Sequence, residues 1–458
     1  MSTPAVVIAA PASGSGKTTI ATGLMGALRR AGHTVAAAKV GPDFIDPGYH
    51  ALATGRPGRN LDPVLVGGDL IGPLYRHGSS GADIAVVEGV MGLFDGRITE
   101  QAMAVAPGST AQVAAILGAP VLLVVDARGQ SQSIAALLHG FSTFGGTWAS
   151  GATGNRPVHI AGVILNRVGS PRHEQVLRQA CEQVGVPVLG AVPRAAELEV
   201  PSRHLGLITA VEFGRAAHQA VDAMTDLVAR HVDLAAVVAA ANIGQLGPAW
   251  DPQLPGTGRG VTVGLAAGRA FSFGYTEYAE LLEMTGAQVC SFDPLIDPLP
   301  EGTGAVVIPG GFPEQFTAEL SANNTVRQQI FTLAASGAPI HAECAGLTYL
   351  VDDLDGHPMC GVLAGSARFT EKLTLGYRDA VAATDSSLHQ AGERATGHEF
   401  HRTTVQFTAD YPPAWAFATA SGTACDGAVH AGVHAGYLHT HPAAHPQAVA
   451  RFAGRVRK

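Results

Sequence analysis

A short apolar run, Val6-Val7-Ile8-Ala9-Ala10, passes directly into Pro11-Ala12-Ser13-Gly14-Ser15-Gly16-Lys17-Thr18-Thr19, and an amphipathic stretch follows to about Ala31. Such a run is what a parallel strand covered on both faces looks like. Strand, glycine-rich loop and Gly-Lys-Thr opening a helix is the setting of a phosphate-binding loop. The standard pattern starts on glycine, and Pro11 stands there in this chain. The working part is complete, because backbone N–H groups of residues 14 to 18 can cradle phosphate at a helix N-terminus. Gly14, Ser15, Gly16, Lys17, Thr18 and Thr19 are therefore the expected nucleotide contacts. Lys17 would neutralise phosphate charge and the Thr18 hydroxyl would reach Mg²⁺.

Apolar strands are expected at 34–40, 83–88, 121–126 and 160–166, with helical stretches between them. That alternation is the pattern of a doubly wound parallel sheet, whose ligands sit at the C-terminal ends of the strands. Four acids fall at those ends: Asp43 and Asp46 in Gly41-Pro42-Asp43-Phe44-Ile45-Asp46-Pro47-Gly48, Glu88 after Ala85-Val86-Val87, and Asp95 in Gly92-Leu93-Phe94-Asp95-Gly96. Carboxylates beside phosphate call for a hard cation, and Mg²⁺ takes one or two of them together with phosphate and water.

At 458 residues the chain exceeds one core, so two or three domains are expected. A composition of 47% hydrophobic and 14% charged residues with 57 glycines suits a compact α/β enzyme and excludes a disordered chain. The net charge of -8 and the lack of a basic run argue against nucleic acid as a partner. The five cysteines are odd in number and widely spaced, with no CxxC pair. They fit a reducing cytoplasm rather than a disulfide framework. Met-Ser-Thr-Pro leads straight into a strand without a basic n-region, and no apolar run is long enough to span a bilayer, so no membrane role is expected.

Helical pattern continues to about Ala241, and residues 244–260 are rich in Pro and Gly. The expected division is a first domain over 1–243, a linker over 244–260 and a second α/β domain over 261–458. In the second domain Ile340-His341-Ala342-Glu343 runs into Cys344-Ala345-Gly346, and a helical pattern follows at once. That is the geometry of a nucleophile elbow, which lifts the sulfur off the sheet near a helix N-terminus where thiolate is favoured. Val306-Val307-Ile308-Pro309 feeds Gly310-Gly311, whose backbone amides, with that of Ala345, can form an oxyanion hole. A cysteine nucleophile needs a base. His439, in Gly436-Tyr437-Leu438-His439-Thr440-His441, is the best candidate.

The run from Gly41 to His50, then Asn60-Leu61-Asp62, then Val87-Glu88-Gly89-Val90-Met91-Gly92-Leu93-Phe94-Asp95-Gly96, resembles the cobyrinic acid a,c-diamide synthase family of corrinoid biosynthesis. The first half is similar to dethiobiotin synthetase, a P-loop fold that phosphorylates a carboxylate. The second half resembles class I glutamine amidotransferase domains. The resemblance implies Thr18, Asp43 and Glu88 as Mg²⁺ ligands. It places Asp46 and Asp95 near the reacting carboxylate and the transferred phosphate, and Asn166-Arg167 at the nucleotide base. Ordinary class I domains carry His-x-Glu, where Glu orients the imidazole. This chain has His439-x-His441, so either His441 takes that part or the site has no orienter.

The two centres make chemical sense together. A carboxylate becomes reactive toward ammonia once ATP has converted it to an acyl phosphate, and glutamine hydrolysis supplies ammonia unprotonated. The implied substrates are a corrinoid acid (cobyrinic or hydrogenobyrinic), glutamine and ATP, with Mg²⁺, and the reading admits a homodimer. Two alternatives stand beside it. One is a cobyric acid synthase acting on other carboxylates of the ring, and the other is a non-catalytic P-loop regulator.

Overall fold

A computed structural model describes residues 2–99, 105–148, 157–194, 202–203, 206–207, 209–420 and 422–456. The chain divides into two compact units, Met1–Asp251 and Pro252–Lys458. The division falls inside the glycine- and proline-rich stretch, yet little of that stretch is a loose tether. Gly244 N–H donates to Leu117 O, Trp250 N–H donates to Pro73 O, and the Trp250 ring packs edge-on to His77. On the far side, Gly258 N–H and Thr257 Oγ1 donate to Thr285 O and Ala450 O within the second unit. Trp250 binds the first half of the stretch to the first unit, and Thr257 and Gly258 bind the second half to the second.

The first unit is built on seven parallel strands: β1 (Ala5–Ala9), β2 (Val35–Val40), β3 (Arg59–Leu61), β4 (Ile84–Glu88), β5 (Val121–Asp126), β6 (Ile160–Val168) and β7 (Val188–Pro193). Their order is β3-β2-β4-β1-β5-β6-β7. Strands β1, β4 and β5 are buried along nearly their whole length, as continuous runs of Val, Ile, Leu and Ala require. Because β1, β4 and β2 are neighbours in one parallel sheet, the loops after them open at one edge. That brings the phosphate loop, Glu88 and the Asp43–Asp46 segment together.

The second unit has a six-stranded sheet in the order Gln288–Phe292, Thr262–Ala266, Thr303–Ile308, Ile340–Glu343, Val433–Gly436, Ala428–His430, with only the last strand antiparallel. A second sheet adds the long antiparallel pair Leu363–Ala382 and Arg394–Phe407, and His439–Thr440 joins the latter strand. The register of the long pair shifts between Phe369 and Thr374. The core of this unit gathers Phe271, Tyr349, Leu347 and Ile330 around the strand that carries the elbow.

Candidate active site

The phosphate loop of the first unit takes the form its sequence dictates. Gly16 has φ 95°, and a Cβ there would lie 2.2 Å from Asn166 Nδ2, so no larger residue fits. Lys17 opens the helix Lys17–Arg30. Its ammonium donates to Met91 O at 2.5 Å. Burial, and then the charge of Lys39, push its pKa down to about 8. Asn166 Nδ2 donates to Ser15 O, and Arg167 reaches both Gly14 O at 2.8 Å and Asp126 Oδ2 at 2.5 Å. The pair expected at the nucleotide base thus braces the backbone of residues 14 and 15.

Asp46 and Glu88 gather around the Lys39 ammonium. Thr18 Oγ1 donates to Glu88 Oε1 at 2.6 Å and lies 3.4 Å from Asp46 Oδ2. Lys39, buried at the end of β2, donates to Asp46 Oδ2 at 2.6 Å, Glu88 Oε1 at 2.9 Å and Gly89 O. It faces Glu88 because the two residues are register partners on β2 and β4. His50 Nε2 lies 2.6 Å from the other oxygen, Glu88 Oε2. Burial alone would raise the Glu88 carboxyl, but Lys39 and His50 hold it well below the usual range. Asp46 is pushed up by burial and by the charges of Asp43 and Glu88, which outweigh Lys39. Lys39 is held up by its carboxylates against the effect of burial.

Asp43 is used differently: its Oδ1 accepts from the N–H groups of Ile45 and Asp46. Asn60, quoted for its motif, clamps the same loop by donating to Gly41 O and Asp43 O. Asp95 Oδ2 accepts from Gly92 N–H and shapes the turn that carries Met91 O. Among the described residues no cluster of three or more His, Cys, Asp or Glu could hold a metal unaided. The donors still suit Mg²⁺, which takes few carboxylates and fills its shell with phosphate oxygens and water. Thr18, Glu88 and Asp46 are hard oxygen donors at the mouth of the phosphate loop. Asp46, expected near the reacting carboxylate, lies with its Oδ2 3.4 Å from Thr18 Oγ1. Lys39 carried no sequence signal beyond its polarity inside an apolar run.

In the second unit Cys344 adopts φ 51° and ψ -101° between Ile340–Glu343 and the helix Ala345–Leu350. This is the strained turn of a nucleophile elbow. The backbone amides of Ala345 and Gly311 both approach the sulfur. Gly310 presses against the His439 ring, since a Cβ there would come within 2.3 Å of Cε1. Cys344 and His439 therefore flank the same glycine pair, with Gly310 on the imidazole and Gly311 on the thiol.

The thiol departs from expectation in one respect. The helix after it has only six residues, and Cys344 is 3% exposed. Burial, reinforced by the charge of Glu314, pushes the thiol pKa well up. Its Sγ–H points to Phe400 O at 3.7 Å. The helix N-terminus does not make this thiol a thiolate, so the group needs a base to lose its proton.

The His441 ring turns toward Glu277 and Tyr275. His441 Nε2 lies 3.9 Å from Glu277 Oε2, its ring packs tilted against Tyr275, and its Nδ1 accepts from Ala443 N–H. A carboxylate beside the His439 imidazole is Glu343, whose Oε2 stands 3.6 Å from His439 Nδ1. Across the strands, His398 pairs with His439. Burial, and then His439, push the His398 pKa down to about 3, so it is neutral. Asp426 Oδ2 accepts from the N–H groups of Tyr437 and Leu438, fixing the turn that delivers His439.

Comparison with known proteins matches a family model to each unit. Residues 6–208 match the CobQ/CobB/MinD/ParA nucleotide binding domain, and residues 262–447 match the CobB/CobQ-like glutamine amidotransferase domain. A hydrogenobyrinate a,c-diamide synthase of Mycobacterium tuberculosis is 70% identical over 456 residues, covering 99% of this chain and 98% of that one. One from Streptomyces coelicolor is 53% identical, covering 90% of this chain and 89% of that protein. A cobyrinate a,c-diamide synthase of Synechococcus is 38% identical, covering 88% and 87%. With a phosphate loop in one unit, a cysteine elbow in the other and relatives matched over 88–99% of its length, the chain belongs to the hydrogenobyrinate a,c-diamide synthase family.

Proposed function

We propose that this chain is an ATP- and glutamine-dependent ligase that amidates the a and c carboxylates of hydrogenobyrinate, in cobalamin biosynthesis. The observation that carries the reading is the pair of centres in one chain: a phosphate loop ringed by Thr18, Glu88 and Asp46, and an elbow cysteine with His439 at the Gly310-Gly311 turn. A non-catalytic P-loop regulator needs no such elbow. The hydrogenobyrinate relatives at 70% and 53% identity favour that ring over cobyrinate and over the cobyric acid synthase reading.

In the second unit His439 takes the Cys344 proton, the thiolate attacks the glutamine amide, and His439 returns the proton to departing ammonia. The amides of Gly311 and Ala345 receive the developing oxyanion. Water then releases glutamate from the thioester. In the first unit the residue 14–18 amides and Lys17 hold the ATP phosphates while the substrate carboxylate takes the γ-phosphoryl group. Mg²⁺ held by Thr18 and Glu88, with Asp46 or Asp43, would neutralise phosphate charge when bound. Ammonia displaces phosphate from the acyl phosphate and gives the amide. Asp95 and Asp46 would meet the reacting groups, and Asn166-Arg167, which brace residues 14 and 15, would meet the base. No described helix is long and apolar enough to cross a membrane, and the proposed setting is the cytoplasm.

The test is to incubate the protein with ATP, Mg²⁺ and glutamine and either hydrogenobyrinate or cobyrinate, and to count added amides by mass spectrometry. Two amides on hydrogenobyrinate are expected. No amide on either ring would end the proposal.

A further inference from the structure

Three buried histidines lie behind the elbow, and the glutaminase chemistry above uses none of them. His341 belongs to the elbow strand, and His434 is its register partner on the adjacent parallel strand. Their Nδ1 atoms are 3.4 Å apart. His389 packs beyond His434 with its ring tilted, the centroids 5.7 Å apart. On the other side, His341 Nε2 is 3.3 Å from Glu343 Oε1. That oxygen also accepts from Thr440 N–H and Thr440 Oγ1. The second Glu343 oxygen faces His439 Nδ1 at 3.6 Å.

Proton placement along this line is constrained. Two Nδ1 atoms at hydrogen-bonding distance need one proton between them. His434 is buried and its Nε2 has no hydrogen-bond partner among the described residues. An N–H left unpaired there costs more than an unshared lone pair, so the His434 proton sits on Nδ1 and is donated to His341. His341 then carries its proton on Nε2 and donates to Glu343 Oε1. The carboxylate, anchored on one oxygen by three donors, holds its other oxygen 3.6 Å from His439 Nδ1, longer than a hydrogen bond but near enough for its charge to favour a proton there. The imidazole is left as the tautomer whose Nε2 bears a lone pair, the form a base for Cys344 requires.

We infer that the series His434–His341–Glu343 selects the tautomer of His439, with Glu343 as its direct orienter and His341 and His434 as positioning residues. This rests on the proposed reading of Cys344 and His439 as the glutaminase pair. It assigns Glu343, in the residue before the nucleophile, the part that an acid two residues after the histidine plays elsewhere.

The experiment measures glutamate release from glutamine by His341→Phe and His341→Gln, with Cys344→Ala as reference. Phe fills the space without a donor, whereas the Gln side-chain amide can donate to Glu343. For His341→Phe, kcat should fall by about tenfold or more with KM little changed, the loss of a group acting through the imidazole. His341→Gln should recover most of that loss. Equal losses in both variants, or no loss in the Phe variant, would overturn the inference. If His341→Phe does not fold, His434→Leu and His434→Asn answer the same question, since only Asn keeps a donor at the Nδ1 position. Full glutaminase activity in Cys344→Ala would instead overturn the underlying glutaminase reading.

Discussion

Replacing Lys39 with Met should destabilise the first unit by an amount the geometry sets. The Lys39 side chain is 5% exposed and its ammonium lies 2.6 Å from Asp46 and 2.9 Å from Glu88. Met keeps the stem and removes the charge. Breaking a buried ion pair from one side costs about 3–5 kcal/mol, because the partner charge stays buried. Here the lower end applies. Glu88 keeps its contacts to Thr18 and His50, and Asp46, whose pKa is raised, can take a proton. About 3 kcal/mol corresponds to a fall of roughly 6–12 °C in Tm for a unit of this size.

The pH dependence has a definite sign. In the native chain Glu88 lies below its ordinary pKa, so its stabilisation is present above the unfolded value and lost as pH falls through the folded one. In Lys39→Met the orphaned carboxylates lie above their ordinary values. They favour the folded state at low pH and penalise it as pH rises. The Tm deficit should thus be largest at about pH 7 and shrink toward about pH 5. Thermal unfolding followed by circular dichroism at the two pH values measures it. An unchanged Tm, or a deficit that grows on acidification, would refute the reasoning.

Cys344→Ala should abolish glutamine-driven amidation and retain amidation driven by ammonium salts; equal loss of both would contradict separate centres. Lys17→Ala should stop ATP turnover with either nitrogen donor, measured as phosphate release. Gly310→Ala places a Cβ within 2.3 Å of His439 Cε1 and must displace the ring. A loss of about 10²-fold or more in glutamine hydrolysis is expected, on the scale of a misplaced catalytic group, with ammonium-driven amidation kept.

Much of the first unit was legible because its strands are apolar runs joined by strong turn signals. β3 was not, since Arg59-Asn60-Leu61 is three residues long and two of them are polar. The burial of Asn60 comes from its contacts to the Asp43 loop, which local pattern does not encode. Lys39 was overlooked for a similar reason: its partner Glu88 is 49 residues away and is brought opposite only by strand pairing. The elbow and the glycine pair were readable because each needs a local backbone form. Glu343 was missed although a signal was present. His341 and Glu343 alternate on a strand otherwise buried and apolar, so both side chains leave on one face, and such polar pairs seldom lack partners. His441 drew notice through its spacing, but its ring turns to Tyr275 and Glu277.

The covered position of the elbow sulfur bears on the lifetime of the protein under oxidative stress. Peroxide and alkylating agents consume the thiolate, and a thiol that is both enclosed and weakly acidic presents little of it. Cys425 is exposed and Cys290 partly so. Damage should reach those two positions first and leave residue 344 intact while the resting fold holds.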